Sequence, residues 1–177
     1  MEPWKPVGSR RSTRAWRGAA LAAAVAVSAT GARAQAGAPG AATQDAPAVG
    51  QTIPVFDAQK VEGGIEHVAF AKGGSTVLLF FLSGCPTCHK MLPQWSRAYE
   101  RRPKGLTVIG VLMDQEPPGF FQNVPISFPV VRSPGRDFLN GINVRRAPVT
   151  LRVAAGGKVE DVSLGLVDQI RLGQLFR

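Results

Sequence analysis

The chain has 177 residues and a formal net charge of +9, with 45% hydrophobic and 19% charged residues. The first 34 residues hold six of its 21 basic side chains and one of its 12 acidic ones, which leaves 15 basic and 11 acidic side chains in the remainder. This modest balance argues against a nucleic-acid-binding protein, and the 143 residues after position 34 suffice for one domain with a buried core.

Residues 1–34 have the pattern of a secretory signal peptide. A basic stretch that includes Lys5 and Arg10 precedes residues 18–32, which are uncharged and rich in alanine. Fifteen such residues fall short of the ~20 that a transmembrane helix needs, and Ala32-Arg33-Ala34 has the small-x-small form of a cleavage site. We predict cleavage after Ala34 and a periplasmic location; the alternative is a leader retained as a membrane anchor.

The rest of the chain divides into a linker and one domain. Residues 35–49 are rich in Ala, Gly and Pro, which predicts a flexible linker, and residues 50–177 form the predicted domain. Its expected elements, in chain order, are an outer strand within 53–61, a buried strand over 75–82, a helix after Cys85, a buried strand over 106–113, a helix ending within 137–141, a hairpin of 149–153 with 158–164, and a helix over 168–176.

Two cysteines, the only ones in the chain, lie in the sequence Cys85-Pro86-Thr87-Cys88-His89. A disulfide between them would close a very short loop and would stabilise the fold little, so the spacing favours chemistry over a structural role. Pro86 suits the first position of a helix. Cys85 therefore lies at the junction of strand and helix, where backbone N–H groups favour a thiolate that attacks disulfides. Cys88, one turn inward, is the predicted resolving thiol.

Two alternatives use the same residues. Cys85-x-x-Cys88-His89 also satisfies the pattern for c-type haem attachment, with His89 as axial ligand. The two thiolates and His89 would also suit a soft metal such as copper, with Met91 or Met113 as a third ligand in a metal-delivery module.

Several segments in order show that the chain resembles thioredoxin-fold proteins of the exported TlpA-like and ResA-like branch, and the residues flanking the dithiol are also similar to its MauD-like members. The matching segments are Val49-Gly50 with Pro54 and Phe56, the strand followed by CxxC, Pro93 in the first helix, Val108-Ile109-Gly110-Val111 with Asp114, Phe128-Pro129-Val130-Val131, and Arg146-Ala147-Pro148-Val149-Thr150.

The resemblance implies an α/β, thioredoxin-like fold in which a central mixed sheet is flanked by helices. It implies that Pro148 follows a cis peptide bond and that the backbone of Ala147 pairs with a client peptide. Pro86 and Thr87, between the two thiols, complete the predicted client-binding residues. No cofactor or metal is expected beyond the redox-active Cys85–Cys88 disulfide.

The resemblance also implies a protein-disulfide reductase, acting in cytochrome c or metalloenzyme maturation. Its expected partners are the thiols and disulfides of an exported client and a membrane or periplasmic electron donor; the chain is expected to be a monomer that binds no nucleic acid. The family's usual proton-handling acids are missing: Leu79 stands six residues before Cys85 and Met91 three residues after Cys88, while Gly84 replaces a tryptophan.

Overall fold

The computed structural model describes residues 45–70 and 73–177. The predicted signal peptide and residues 35–44 of the predicted linker lie outside the described residues. Within the described ranges the chain forms one seven-stranded sheet. Its strands are β1 Phe56–Lys60, β2 Ile65–Val68, β3 Thr76–Phe81, β4 Thr107–Leu112, β5 Val130–Arg132, β6 Val149–Val153 and β7 Val159–Leu164.

The strand order across the sheet is β2-β1-β5-β4-β3-β6-β7. The central pairs β3–β4 and β4–β5 are parallel, and all other pairs are antiparallel. A mixed sheet with helices against it confirms the predicted thioredoxin-like fold. The described helices are α1 Pro86–Glu100, α2 Phe120–Asn123, α3 Arg136–Gly141 and α4 Gln169–Leu175.

Strand β3 is buried on both faces, as its continuous apolar sequence predicts. Leu78 and Phe80 belong to the core on the side of α3, whereas Val77, Leu79 and Phe81 belong to the core on the side of α1 and α4. This alternation follows from the two-residue repeat of a strand. Burial on both faces fixes the register of β3. The register in turn fixes the point at which the chain leaves the sheet toward Cys85.

Helix α1 forms because its apolar residues recur at helical spacing and bury one face. Cys88, Met91, Leu92 and Trp95 are fully buried on that face. Pro86 occupies the start of the helix, and Pro93 lies within it. Asp168 caps α4, because its side chain accepts a hydrogen bond from the backbone N–H of Arg171 at 2.7 Å.

Three elements were not predicted from the sequence: β2, β5 and α2. Strand β5 has three residues and α2 has four, too few to show a hydrophobic period. Strand β2 is an edge strand with a mostly exposed, polar pattern, so nothing in its composition distinguishes it from a loop.

The predicted linker ends before residue 49, because residues 45–49 belong to the folded domain. Ala46 packs against the core, and the carbonyl of Asp45 accepts a hydrogen bond from the backbone N–H of Arg145 at 3.1 Å. Composition alone predicted a flexible segment, but tertiary contacts hold it. Among the described residues, none of the helices combines the length and apolar character needed to cross a membrane.

Candidate active site

Cys85 caps the N-terminus of α1, directly after the turn that leaves β3. Its backbone is extended, with φ −88° and ψ 115°. The backbone N–H of Cys88 donates a hydrogen bond to the Cys85 Sγ at 3.1 Å. The sulfur therefore occupies the position of a helix-capping acceptor at the N-terminus of α1.

The two thiols have different environments. Cys85 is half-buried, whereas Cys88 is fully buried in the core beneath it. Burial, followed by the hydrogen bond with Cys85, raises the pKa of Cys88 to about 12. Cys85 is therefore the accessible thiol of the pair, and burial keeps Cys88 protonated at neutral pH.

The loop before β6 brings Ala147 and Pro148 against Cys85. The Ala147–Pro148 peptide bond is cis, as the family resemblance implied. The Cys85 Sγ lies 3.9 Å from the Ala147 carbonyl oxygen, and among the described residues the Ala147 N–H has no hydrogen-bond acceptor. Ala147 thus borders the sulfur through its backbone carbonyl.

The remaining predicted client-binding residues are the first two residues of α1. Pro86 is exposed and Thr87 half-exposed at the outer edge of α1. The start of α1 and the loop before β6, 62 residues apart in the chain, are therefore brought together at Cys85, with Pro148 buried beneath Ala147, and with Thr87 and Pro86 reaching solvent.

Sequence reasoning missed an apolar patch beside Pro148. The Gly165 N–H donates to the Pro148 carbonyl at 2.8 Å, which brings the segment after β7 to this edge. Leu164 at the end of β7 and Leu166 just after it are exposed, Leu166 by 55%. Exposed apolar residues beside a reactive group are typical of a docking surface. Their signal in the sequence is weak, because only the β6–β7 pairing brings them near residue 148.

Sequence reasoning also missed a polar cluster formed by Ser83, Asp114 and His89. Ser83 donates its backbone N–H to both carboxylate oxygens of Asp114, at 2.8 and 3.1 Å, and its hydroxyl to one of them at 2.9 Å. The His89 Nε2 donates to the Ser83 carbonyl at 2.6 Å. The sequence shows a serine, Ser83, just after β3 and an acid, Asp114, just after β4. Because the carboxyl ends of these two parallel strands lie side by side, the two residues come into contact.

The core beneath Cys88 is apolar, as the departures from the family pattern predicted. Leu79 and Met91 are both fully buried beside it. In the part of the chain that the structure describes, no three His, Cys, Asp or Glu side chains cluster to hold a metal. The complete burial of Cys88 and the engagement of His89 Nε2 by Ser83 favour disulfide chemistry over haem attachment.

A thioredoxin-like fold, with one accessible and one buried thiol at the start of its first long helix, defines a thiol–disulfide oxidoreductase that acts on protein disulfides. Comparison with known proteins agrees with this class. Residues 48–170 match the Redoxin family, and the chain belongs to that family.

Two relatives carry the same activity in their names. The chain is 29% identical over 119 residues to the sporulation thiol-disulfide oxidoreductase A of Bacillus subtilis, covering 63% of this chain and 71% of that protein. It is 23% identical over 120 residues to the thiol-disulfide oxidoreductase ResA of Halalkalibacterium halodurans, covering 66% and 68%. The crystal structure of StoA from Bacillus subtilis has the same fold, with a TM-score of 0.61 at 22% identity over 71% of this chain and 98% of that one.

Proposed function

We propose that this protein is an exported reductase of protein disulfides and that it works through a dithiol relay between Cys85 and Cys88. The observation that carries the proposal is the pairing of a half-exposed sulfur, hydrogen-bonded to a helix N–H at 3.1 Å, with a second sulfur sealed one turn below it. Export is supported by the leader pattern of residues 1–34.

The relay has two exchange steps. The Cys85 thiolate attacks one sulfur of a client disulfide, the client S–S bond breaks, and the released client thiolate takes up a proton. The Cys88 thiol then loses its proton and attacks the Cys85 sulfur. The Cys85–client bond breaks, the second client thiolate is protonated, and the protein is left with a Cys85–Cys88 disulfide. A donor dithiol outside the chain returns the two electrons.

The burial of Cys88 supports the assignment of Cys85 as the attacking thiol and Cys88 as the resolving thiol. A thiol with a pKa near 12 is almost wholly protonated at neutral pH, so it does not compete with Cys85 for the client. Once Cys85 is bonded to the client, its negative charge is gone and one of the causes that raise the pKa of Cys88 is removed. The resolving thiol is therefore easier to ionise after the first step than before it.

Client binding is proposed to use the surface around Cys85. An extended client segment pairs with the free backbone N–H of Ala147 in the manner of an added strand, beside the buried Pro148. Pro86 and Thr87 contact the client on the opposite side of the sulfur. The exposed Leu164 and Leu166 extend this surface past Pro148. The proposed client is an exported protein under maturation whose paired cysteines can form the disulfide that Cys85 attacks, such as an apocytochrome or a metalloenzyme subunit.

Trapping tests the relay. The full chain carrying Cys88→Ser is incubated with a synthetic peptide whose cysteine bears a thiopyridyl disulfide, and the products are separated under non-reducing conditions. We expect a stable one-to-one mixed disulfide at Cys85, whereas Cys85→Ser gives none. Equal trapping by both variants would contradict the assigned roles.

Direction and export have separate tests. Equilibration of the wild-type pair with glutathione or dithiothreitol gives its reduction potential, and a reductase is expected nearer to about −270 mV than to about −120 mV. A potential close to the oxidising end would overturn the reductase assignment. Mass spectrometry of the exported protein is expected to give Gln35 as the first residue; an intact leader would instead favour the membrane anchor.

A further inference from the structure

The turn between β3 and α1 is held by side chains from two other elements. Ser83, two residues before Cys85, is buried. Its N–H and hydroxyl both donate to Asp114, and its carbonyl accepts from His89. Asp114 follows β4 and His89 belongs to α1. All three polar groups of one residue in the turn are therefore fixed from outside it.

Asp114 reaches this turn because β3 and β4 run parallel in register. Phe81 pairs with Leu112, so Ser83 and Asp114, each two residues further on, emerge side by side at the same edge of the sheet. With the carboxylate accepting three hydrogen bonds from a single residue, its position relative to the thiols is fixed.

We propose that Asp114 is a positioning residue, an inference that rests on the proposed function. The fixed negative charge of Asp114 beside the Cys85/Cys88 pair makes the Cys85–Cys88 disulfide harder to reduce. The disulfide is neutral, whereas the reduced pair carries a negative charge when Cys85 is a thiolate. A neighbouring anion therefore disfavours the reduced form, and the protein becomes a stronger reductant. The couple is one disulfide plus two electrons and one proton giving one thiol and one thiolate.

The electrostatic field at Cys88 agrees with this role. Burial is the largest cause of the raised pKa of Cys88, the Cys85 side chain is next, and the charge of Asp114 also raises it. Because the family's buried acid is replaced by Leu79 and its helix glutamate by Met91, Asp114 supplies an acidic group near the thiols from a different strand.

The test compares potentials in the full chain. Asp114→Asn removes the charge and keeps a side chain of the same size. We expect the equilibrium with glutathione to shift toward the dithiol by about three- to tenfold, which is about 15 to 30 mV for a two-electron couple. Alkylation of Cys85 by iodoacetamide at pH 7 is expected to accelerate by a similar factor. Ser83→Ala keeps the charge and is expected to change both quantities less than twofold.

Asp57→Asn is the matched control, since Asp57 lies in β1, three strands away from β3 in the sheet. Should Asp114→Asn fail to fold, Asp114→Glu and Asp114→Gln replace it. Their side chains have equal length, and only the first carries a charge, so the difference between the two variants reports the effect of the charge. An unchanged potential and alkylation rate on loss of the charge would overturn the inference, as would an equal shift in Ser83→Ala. Wild-type protein that does not equilibrate with glutathione at all would instead contradict the proposed function.

Discussion

The indole N–H of Trp95 donates a hydrogen bond to the hydroxyl of Thr150 at 3.1 Å, and both side chains are buried. Trp95 belongs to α1, which begins at the dithiol, and Thr150 belongs to β6, which follows Pro148. This bond therefore joins the helix that carries the two thiols to the strand that follows the loop beside them.

Replacing Thr150 by valine tests the energy of that link. Thr150→Val keeps the side-chain shape and leaves the indole N–H buried without a partner, which costs about 1 to 3 kcal/mol. The measurement is the free energy of unfolding in urea. Thr107→Val at an exposed position of β4 is the control and is expected to have little effect. An equal effect of the two substitutions would show that the bond contributes nothing.

The two thiols should differ sharply in reactivity. Because burial raises the pKa of Cys88 to about 12, that thiol is almost wholly protonated at pH 8, and it is also inaccessible to solvent. Iodoacetamide at pH 8 should therefore modify Cys85 and leave Cys88 free in the folded protein, as located by peptide mass spectrometry. In guanidinium chloride both should react. Comparable labelling of both thiols in the folded protein would contradict the described burial.

The apolar patch beside Pro148 should affect clients and not small thiols. Leu166→Asp places a charge on the proposed docking surface, and we expect a three- to tenfold slower reaction with a thiopyridyl-activated peptide whose cysteine is flanked by leucines. The rate with dithiothreitol should stay within twofold. Ile65→Asp is the control, because Ile65 is also exposed but lies on β2 at the opposite edge of the sheet. If it slowed the peptide reaction as much, the patch would have no specific role.

Acid should weaken the fold through Glu116. Its hydrogen bond with Arg132 lowers the pKa of the carboxyl below the ordinary value of 4.5. The unfolded chain then binds more protons, so the stabilisation is fully present above pH 4.5 and is lost as the pH falls through the folded value. Unfolding free energies at pH 7 and pH 3 should differ less in Glu116→Gln than in the wild type.

The exposed Glu62 supplies the comparison for that experiment. Glu62→Gln is expected to leave the difference between pH 7 and pH 3 as it is in the wild type. The Asp161–Arg171 pair acts in the same direction, because a hydrogen bond from Arg171 lowers the pKa of Asp161. Wild-type stability that did not fall between pH 7 and pH 3 would refute the role of both pairs.

Long elements with a strong hydrophobic pattern were predictable. Strands β3 and β4, helix α1 and the hairpin of β6 with β7 all lie within the ranges that the sequence indicated. Each buries enough apolar surface for its period to be visible in the residues. Strands β2 and β5 were missed because an exposed edge and a three-residue segment have no such period.

The dithiol itself was recognisable, because two cysteines at this spacing after a buried strand have few other uses. Its surroundings were only partly recognisable. The cis peptide bond before Pro148 was expected from the family resemblance, whereas the Ser83–Asp114–His89 cluster and the Leu164–Leu166 patch were not. Both depend on which strands are neighbours, and neighbours in a sheet are distant in the chain.

The amino-acid sequence by itself determined where the reactive sulfur lies, since the strand, the turn and the amphipathic helix that position Cys85 are local and encoded by residues 75–100. Only the tertiary structure decided what surrounds that sulfur. Asp114 contacts Ser83, 31 positions away in the chain, because β4 pairs with β3. Ala147 contacts Cys85, 62 positions away, because β6 also pairs with β3. The burial of apolar side chains across the whole sheet determines these strand pairings.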